Sequence, residues 1–392
     1  MARLSNRAGR YVQQPQGYKA FIPKGLPPDH PVSMDQEIWT LLSQADRALG
    51  RLDGSTETLP NPDLFVFMYV RKEAVLSSQI EGTQASLMDL LEFEAQALEH
   101  GRSKDVDEVA NYVDAMNYGL DRLKELPLSL RLCCEIHAKL LAGVRGSERN
   151  PGEFRSKQNW IGTPGENGLA NAEFVPPPPH EMGEALDNLE KFFYDQTPMP
   201  MLIKVGLIHA QFETIHPFVD GNGRFGRLLI TFLLCEKGIL KRPLLYLSYY
   251  FKRYRSEYYN RLQAIRNKGD WEGWLKFFLR GVYEVAQEAT DTARKIVNLR
   301  EMQRYLITKN LKRSAARGLS LLETLYFRPF LSVESVMEAT KLTFPNANAL
   351  VKQFCDLDFL TEITGQRRNR RFAFEPYLAL FRDSESDVPD AQ

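Results

Sequence analysis

The sequence predicts a mainly α-helical protein, and three observations carry that expectation. Leu87, Leu90, Leu91, Phe93 and Ala97 form a stripe at helical spacing within 83–100. Leu202, Val205, Gly206, His209, Phe212 and Glu213 keep the same spacing through 201–215. Strand-like runs are confined to two short places, 152–175 and 360–374. At 392 residues the chain is long enough for two to three domains of about 150 residues each, with ample core.

Taken in order, helices are expected over 34–48, 64–78 and 83–100, then over 106–124, 129–141, 181–193 and 201–215. Another, 228–235, is apolar throughout and runs into the core. His137 and His209 lie on apolar helical faces and are expected to be structural. Between 152 and 175, Gly152-Glu153-Phe154-Arg155, Gln158 to Gly162 and Ala172 to Val175 flank a Gly- and Asn-rich turn, predicting a loose β-hairpin before Pro176 to Pro179.

Charge is balanced, 50 Lys plus Arg against 50 Asp plus Glu, so it points to neither nucleic acid nor a membrane surface. No apolar run reaches the ~20 residues of a spanning helix, and no secretory core appears. Arg3, Arg7 and Arg10 precede the first acidic residue, Asp29; with Gln13, Gln14, Pro15 and Pro23 they read as a disordered basic arm rather than a transit peptide. Cys133, Cys134, Cys235 and Cys355 lack disulfide or metal spacing, which makes reducing cytoplasm the simplest compartment.

The richest segment is His216-Pro217-Phe218-Val219-Asp220-Gly221-Asn222-Gly223-Arg224-Phe225-Gly226-Arg227. A turn of small residues opening a helix presents backbone N–H groups that bind anions. Arg224 and Arg227, three apart, share a helix face beyond it. Asp220 can hold a Mg²⁺ whose coordination phosphate oxygens complete, and His216 can accept a proton near neutral pH. Gly221 to Gly226 also fits the dinucleotide pattern G-x-G-x-x-G, but the preceding 201–215 is helical and the position twenty after Gly226 is Tyr246, not an acid.

This segment resembles the signature of the Fic family: His, any, Phe, any, Asp or Glu, Gly-Asn-Gly-Arg, two of any, Arg. Every fixed position is met. Upstream, Ser77-Ser78-Gln79-Ile80-Glu81-Gly82 is similar to the inhibitory motif of that family, with Ser77 and Glu81 on one helical face and Gly82 ending the helix. The resemblance spans roughly 64–279 and implies transfer of AMP from ATP to a Ser, Thr or Tyr hydroxyl of a target protein, with self-modification open. It implies His216 as base, Asp220 on Mg²⁺, and the amides of Gly221, Asn222 and Gly223 on phosphates. Arg224 would take the β-phosphate and Arg227 the γ-phosphate, with Phe225 and Gly226 completing the nucleotide segment. Glu81, supported by Ser77, would pair with Arg227 and restrain the enzyme. The hairpin with Asn159, Trp160, Ile161 and Gly162 would be the flap that aligns an extended target strand. Tyr249, in Leu247-Ser248-Tyr249-Tyr250, is the aromatic residue expected to pack on adenine.

After a long helix ending near Lys312, helices are expected over 318–327, 332–339 and 344–358, then a hairpin of 360–364 and 371–374 around the basic tip 365–370. Three helices and a hairpin predict a winged helix, which either binds DNA or serves as a docking or homodimer module. The expected organisation is an N-terminal arm and helical region over 1–100, a Fic-type core over 101–285, a linker helix over 286–315, the winged helix over 316–382 and a disordered acidic tail over 383–392. Two other functions stay open: removal of AMP with Glu81 activating water, and DNA-binding regulation with a nucleotide-sensing pocket.

Overall fold

A computed structural model describes residues 6–57, 62–94, 103–162, 169 and 172–382. It opens with strands β1 (Gly9–Gln13) and β2 (Lys19–Pro23). Helices α1 (Gln36–Glu57), α2 (Pro62–Ile80), α3 (Leu87–Glu94), α4 (Lys104–Arg122) and α5 (Leu130–Leu140) follow, then α6 (Pro179–Phe193), α7 (Met201–Ile215) and α8 (Asn222–Glu236). Next come α9 (Ser248–Arg253), α10 (Arg255–Lys268), the 40-residue α11 (Trp271–Asn310) and α12 (Ala315–Phe327). The chain closes with β3 (Phe330–Ser332), α13 (Val333–Thr340), α14 (Phe344–Asp356), β4 (Thr361–Glu362), β5 (Arg371–Ala373) and α15 (Glu375–Arg382). The expected mainly helical architecture holds. The end of the 83–100 helix, the flap turn 163–168 and the tail 383–392 lie outside the described residues.

Helices α7 and α8 form the centre. Every residue of α7 from Leu202 to Ile215 is buried, as are nearly all of α8, so neither helix has a solvent face. They pack against each other, with α4 on α8 and with α10 and α11 on α7. Helix α11 runs along α1 and carries Trp274 into an aromatic layer with Phe251, Tyr258 and Phe277. The loop 216–221 between α7 and α8 therefore hangs from two fully enclosed helices, which fixes both of its ends.

The C-terminal unit, α12 to α15, includes an antiparallel sheet ordered β3-β5-β4, with Phe330 and Thr361 both opposite Ala373. Strand β3 and helix α15 were not anticipated. Phe381 of α15 meets Tyr69 of α2 edge-on, with ring centroids 6.1 Å apart, tying this unit to the helical body. A cavity of about 780 Å³ lies in that seam, lined in part by Phe67, Leu91, Phe327 and Arg328, and shares no residue with the 216–227 segment.

The amino-terminal arm differs from expectation. Residues 9–23 form an ordered hairpin, with Tyr11 opposite Phe21 and Val12 opposite Ala20. Arg7 is buried and bonds both carboxylate oxygens of Glu272, at 3.0 and 2.8 Å. Arg7, one of the charges that suggested a loose basic arm, is thus answered by a partner 265 positions away, which local composition does not reveal. All four cysteines are free, and among the described residues no helix is long and apolar enough to cross a membrane.

Gly119 of α4 sits against α8, where an added Cβ would lie 2.4 Å from the Phe232 ring. Gly119→Ala is expected to overpack this contact and cost about 1–3 kcal/mol, read as a lower urea midpoint with an unchanged slope.

Candidate active site

Helix α7 terminates at His216, whose backbone is left-handed, φ 50° and ψ 59°. A residue with a Cβ pays for that conformation, so the surroundings must hold it. Its carbonyl accepts hydrogen bonds from Arg155 Nε at 3.0 Å and Asn159 Nδ2 at 3.3 Å. Arg155 also donates to the carbonyls of Pro177, Ile215 and Lys157, so one guanidinium binds the flap base to the end of α7. Burial lowers the imidazole pKa to about 3, helped by the charges of Arg266 and Arg155 and opposed by Glu81. His216 is therefore neutral, the form that accepts a proton.

The loop beyond is locked by side chains. Asn222 Oδ1 accepts from the Phe218 amide and Asn222 Nδ2 donates to the Phe218 carbonyl, both at 2.8 Å. His137 stacks flat on Phe218, with centroids 3.6 Å apart and planes 2° apart. The Gly152 amide donates to His137 Nδ1 at 2.9 Å, so Nε2 carries the proton and donates to the Asp220 carbonyl at 2.9 Å. Burial lowers the His137 pKa to about 4, which keeps the ring neutral.

Helix α8 starts at Gly221, left-handed at φ 75° and backed so closely by His137 Nε2 that a Cβ would sit 3.2 Å from it. No side chain caps this end. The leading amides of Asn222, Gly223 and Arg224 belong to the turn whose N–H groups a helix leaves unbonded, a ready anion site. The Gly221 amide donates to Asp220 Oδ1 at 2.7 Å, while Arg149 stands 3.4 Å from Oδ2 and Arg224 3.8 Å from Oδ1. Among the described residues, no three His, Cys, Asp or Glu side chains converge as a metal cage. Asp220, partly exposed beside the helix end, fits a Mg²⁺ that takes one carboxylate and completes its shell with phosphate and water. Arg224 is buried and paired with Glu108 at 3.1 Å, and Glu108 also meets Arg145 at 3.3 Å.

Arg227, one turn on, is also buried. Its Nε donates to Ser77 Oγ at 2.8 Å, and Nη2 donates to the Ser77 carbonyl at 2.9 Å and to Glu81 Oε1 at 2.7 Å. Burial works against ionising Glu81, but Arg227 outweighs it and holds the carboxyl below its usual range. The Glu81 carboxylate lies over Gly223, where a Cβ would come within 2.2 Å of Oε1. A second carboxylate, Glu213, lies over Gly226, where a Cβ would come within 2.3 Å of its Oε1.

The structure brings His216, Asp220, Gly221, Asn222, Gly223, Arg224, Arg227, Ser77 and Glu81 together. Gly226 faces Glu213. Phe225 turns inward, fully buried against Phe212 and Phe218, and belongs to the core rather than to a nucleotide surface. Tyr249 is buried edge-on to Tyr246, whereas Tyr259, at the surface, is near enough to Glu81 and Arg227 to feel both charges. The flap has one antiparallel bridge among the described residues, Ile161 to Phe174; Trp160 is exposed and Asn159 points back to the Phe218 carbonyl at 2.9 Å. Sequence reasoning missed Glu73, Glu108, Arg155 and Glu213 and gave His137 no task. Their only local signal was a charge within an apolar helical stripe, or an Arg closing Gly-Glu-Phe-Arg.

Glu73 and Glu213 are fully enclosed, and burial raises both pKa values to about 7, against Ser248 and Arg227 respectively as the largest opposing partners. Raised carboxyl pKa values mean that the folded chain keeps protons the unfolded chain releases. Stability is then fullest below about pH 4.5 on this account and is lost as pH climbs through about 7. Glu213→Gln, whose Oε1 has no hydrogen-bond partner to lose, is expected to remove part of that decline. On the order of 1–3 kcal/mol should be regained at pH 8, measured by urea denaturation at pH 5 and 8.

Comparison with known proteins agrees with this geometry. The sequence model of the Fic/DOC family N-terminal region matches residues 39–121, and that of the Fic/DOC family matches 127–234. The chain is 28% identical over 181 residues to the protein adenylyltransferase Fic of Drosophila ananassae, covering 46% of this chain and 32% of that protein. It is 38% identical over 72 residues to a probable protein adenylyltransferase of Aquifex aeolicus, covering 18% and 22%. It thus spans a third or less of the length of these curated relatives. In fold it is similar to a Fic family protein from Desulfovibrio desulfuricans, with TM-score 0.58, 19% identity, and 88% of this chain and 97% of that one covered. A Fic domain containing signaling protein from Bacteroides thetaiotaomicron aligns with TM-score 0.50 and 20% identity over 66% of this chain and 96% of that one. The chain thus carries two regions of Fic/DOC family sequence in order, the family's N-terminal region over 39–121 and its Fic domain over 127–234.

Proposed function

We propose that the chain is a protein adenylyltransferase that moves AMP from ATP to a Ser, Thr or Tyr hydroxyl, on a target protein and on itself, and that Glu81 restrains it. The observation that carries this reading is the neutral His216 set at the mouth of an uncapped helix whose second arginine is bonded to Glu81 at 2.7 Å. His216 takes the proton as the hydroxyl oxygen bonds to the α-phosphorus and the bond to pyrophosphate breaks. The leading amides of α8 and Arg224 orient the phosphates, so the rate comes from positioning and preorganised charge. Asp220 would hold Mg²⁺, which when bound offsets the negative charge of the leaving pyrophosphate. The γ-phosphate needs Arg227, and while Glu81 holds that guanidinium ATP sits misplaced.

Two observations weigh between this reading and its rivals. Glu81 Oε1 accepts from Arg227 Nη2 at 2.7 Å, the contact that a restraining role requires and that removal of AMP does not use. Helices α12 to α14 with the β4–β5 hairpin support a winged helix, but Arg370 at its tip is spent on Asn348 of α14, the helix that would read a groove.

The test is intact-protein mass spectrometry of wild type, Glu81→Gly and His216→Ala after incubation with ATP and Mg²⁺. Glu81→Gly is expected to gain one AMP mass or more, at about tenfold or more the wild-type extent, and His216→Ala to gain none. Equal labelling of wild type and Glu81→Gly would remove the restraint from the proposal, and no labelling of any variant would count against self-modification.

A further inference from the structure

The amino-terminal hairpin does not stand alone. The Phe21 amide of β2 donates to the Val175 carbonyl at 2.8 Å, and Phe174 next to it exchanges both backbone bonds with Ile161, at 2.8 and 3.1 Å. In an antiparallel ladder neighbouring residues point their N–H and C=O groups to opposite sides. Val175 faces β2 while Phe174 faces Ile161, so the four segments lie in the order β1, β2, 172–175, 159–162. The 172–175 segment is therefore interior, and the backbone groups of Trp160 and Gly162 point to the other edge, which is open among the described residues.

Side chains hold this arrangement on both faces. Tyr18, Ala20 and Val175 form a small apolar cluster of their own, separate from the main core. On the other face Phe21 packs on Phe174, with centroids 6.1 Å apart, and Arg266 lies 3.7 Å over the Phe174 ring. The hairpin is moored to the body by the Arg7–Glu272 pair, by Tyr11 on Asn267 at 3.1 Å and by Gln211 on the Lys24 carbonyl at 2.7 Å. Gly9 lets it close, since a Cβ there would come within 2.3 Å of the Ile22 carbonyl.

We propose that the β1–β2 hairpin is part of the acceptor-binding apparatus, a positioning element that fixes the open flap edge at Trp160 and Gly162 for strand addition by an extended segment of the protein acceptor. A two-stranded hairpin is marginal in water, and two further strands moored to helices hold its edge in place before the acceptor arrives. The residues that do this, chiefly Tyr18, Ala20 and Phe21, lie about 200 positions before His216 and touch neither the phosphate site nor the histidine. The acceptor half of this inference rests on the adenylyltransferase reading; the coupling of hairpin to flap does not.

The test uses the full chain. Ala20→Asp places a charge in the small cluster, and Phe21→Pro deletes the amide that Val175 accepts; they act through different contacts, so agreement between them separates coupling from misfolding. Amide exchange at Ile161 and Phe174 is expected to quicken about tenfold or more in both, with the α8 amides unchanged. In a Glu81→Gly background, with the His216→Ala chain as acceptor, the KM for acceptor should rise about fivefold or more while the KM for ATP holds. Wild-type protection of the flap amides in both variants would overturn the proposal, as would quickened exchange with an unchanged acceptor KM. Absence of transfer by the Glu81→Gly parent would instead count against adenylylation, and the exchange result would still decide the coupling.

Discussion

A guanidinium sealed inside a protein must be answered by acceptors, and most of the site follows from how Arg227 is answered. It makes two bonds to Ser77 and one to Glu81, supplied by α2 and by the residue that follows it. The two kinds of bond differ in consequence. Ser77 is wholly buried and fixes the plane of the guanidinium, whereas the Glu81 side chain is 31% exposed at the helix end, where Gly82 turns the chain away at φ 99°. The arginine can exchange its anion without losing its orientation. Removing the anion with nothing in its place leaves a buried charge unpaired, which is costly. A site built this way favours having some anion present and does little to choose which one.

The loop from His216 to Gly221 shows the complementary constraint. The left-handed conformation at its head is unfavourable for His216, and side chains from α5, from the 152–159 segment and from α8 hold the loop in place. Arg155 and Asn159 hold the His216 carbonyl, Asn222 brackets Phe218, and His137 links the Asp220 carbonyl to the Gly152 amide. Because Arg155 and His137 reach the flap base as well, the flap and the 216–221 loop share supports. A neutral His137 suits this task, since with Gly152 donating to Nδ1 a doubly protonated ring would break one of its two bonds.

Much of this was legible in the sequence, for reasons tied to range. Helical stripes report local burial, so α2 and α7 could be placed to within a few residues, and of α11 the end but not the start. Glu81 could be read because Ser77 and Gly82 frame it within one turn. The hairpin at 9–23 could not be read, since its strands are five residues long and it and the flanking Arg7 are held by Glu272, Asn267 and the flap, all far away in sequence. Phe225 was misread because proximity in sequence to Arg224 says nothing about side: at 100° per residue it points into the core. Glu73, Glu108 and Glu213 were invisible because a carboxylate on a helical stripe looks like a surface charge until the helix packed against it is known.

The two glycines of α8 that face carboxylates carry the reasoning further. Glu81 stands over Gly223 and Glu213 over Gly226, so Arg227 lies between two acidic groups on successive exposures of one helix. Were both ionised, a triphosphate entering beside Arg227 would meet a negative charge that remained after Glu81 withdrew. Being enclosed eases that difficulty at Glu213: burial lifts its pKa to about 7, so near neutrality it is partly protonated and carries less charge than an open carboxylate. Glu81, partly open to solvent and tuned the other way by Arg227, stays charged and is the one an incoming phosphate must replace. Under the proposed function, one carboxylate is thus displaced and the other partly neutralised, and it is depth of burial that assigns those roles.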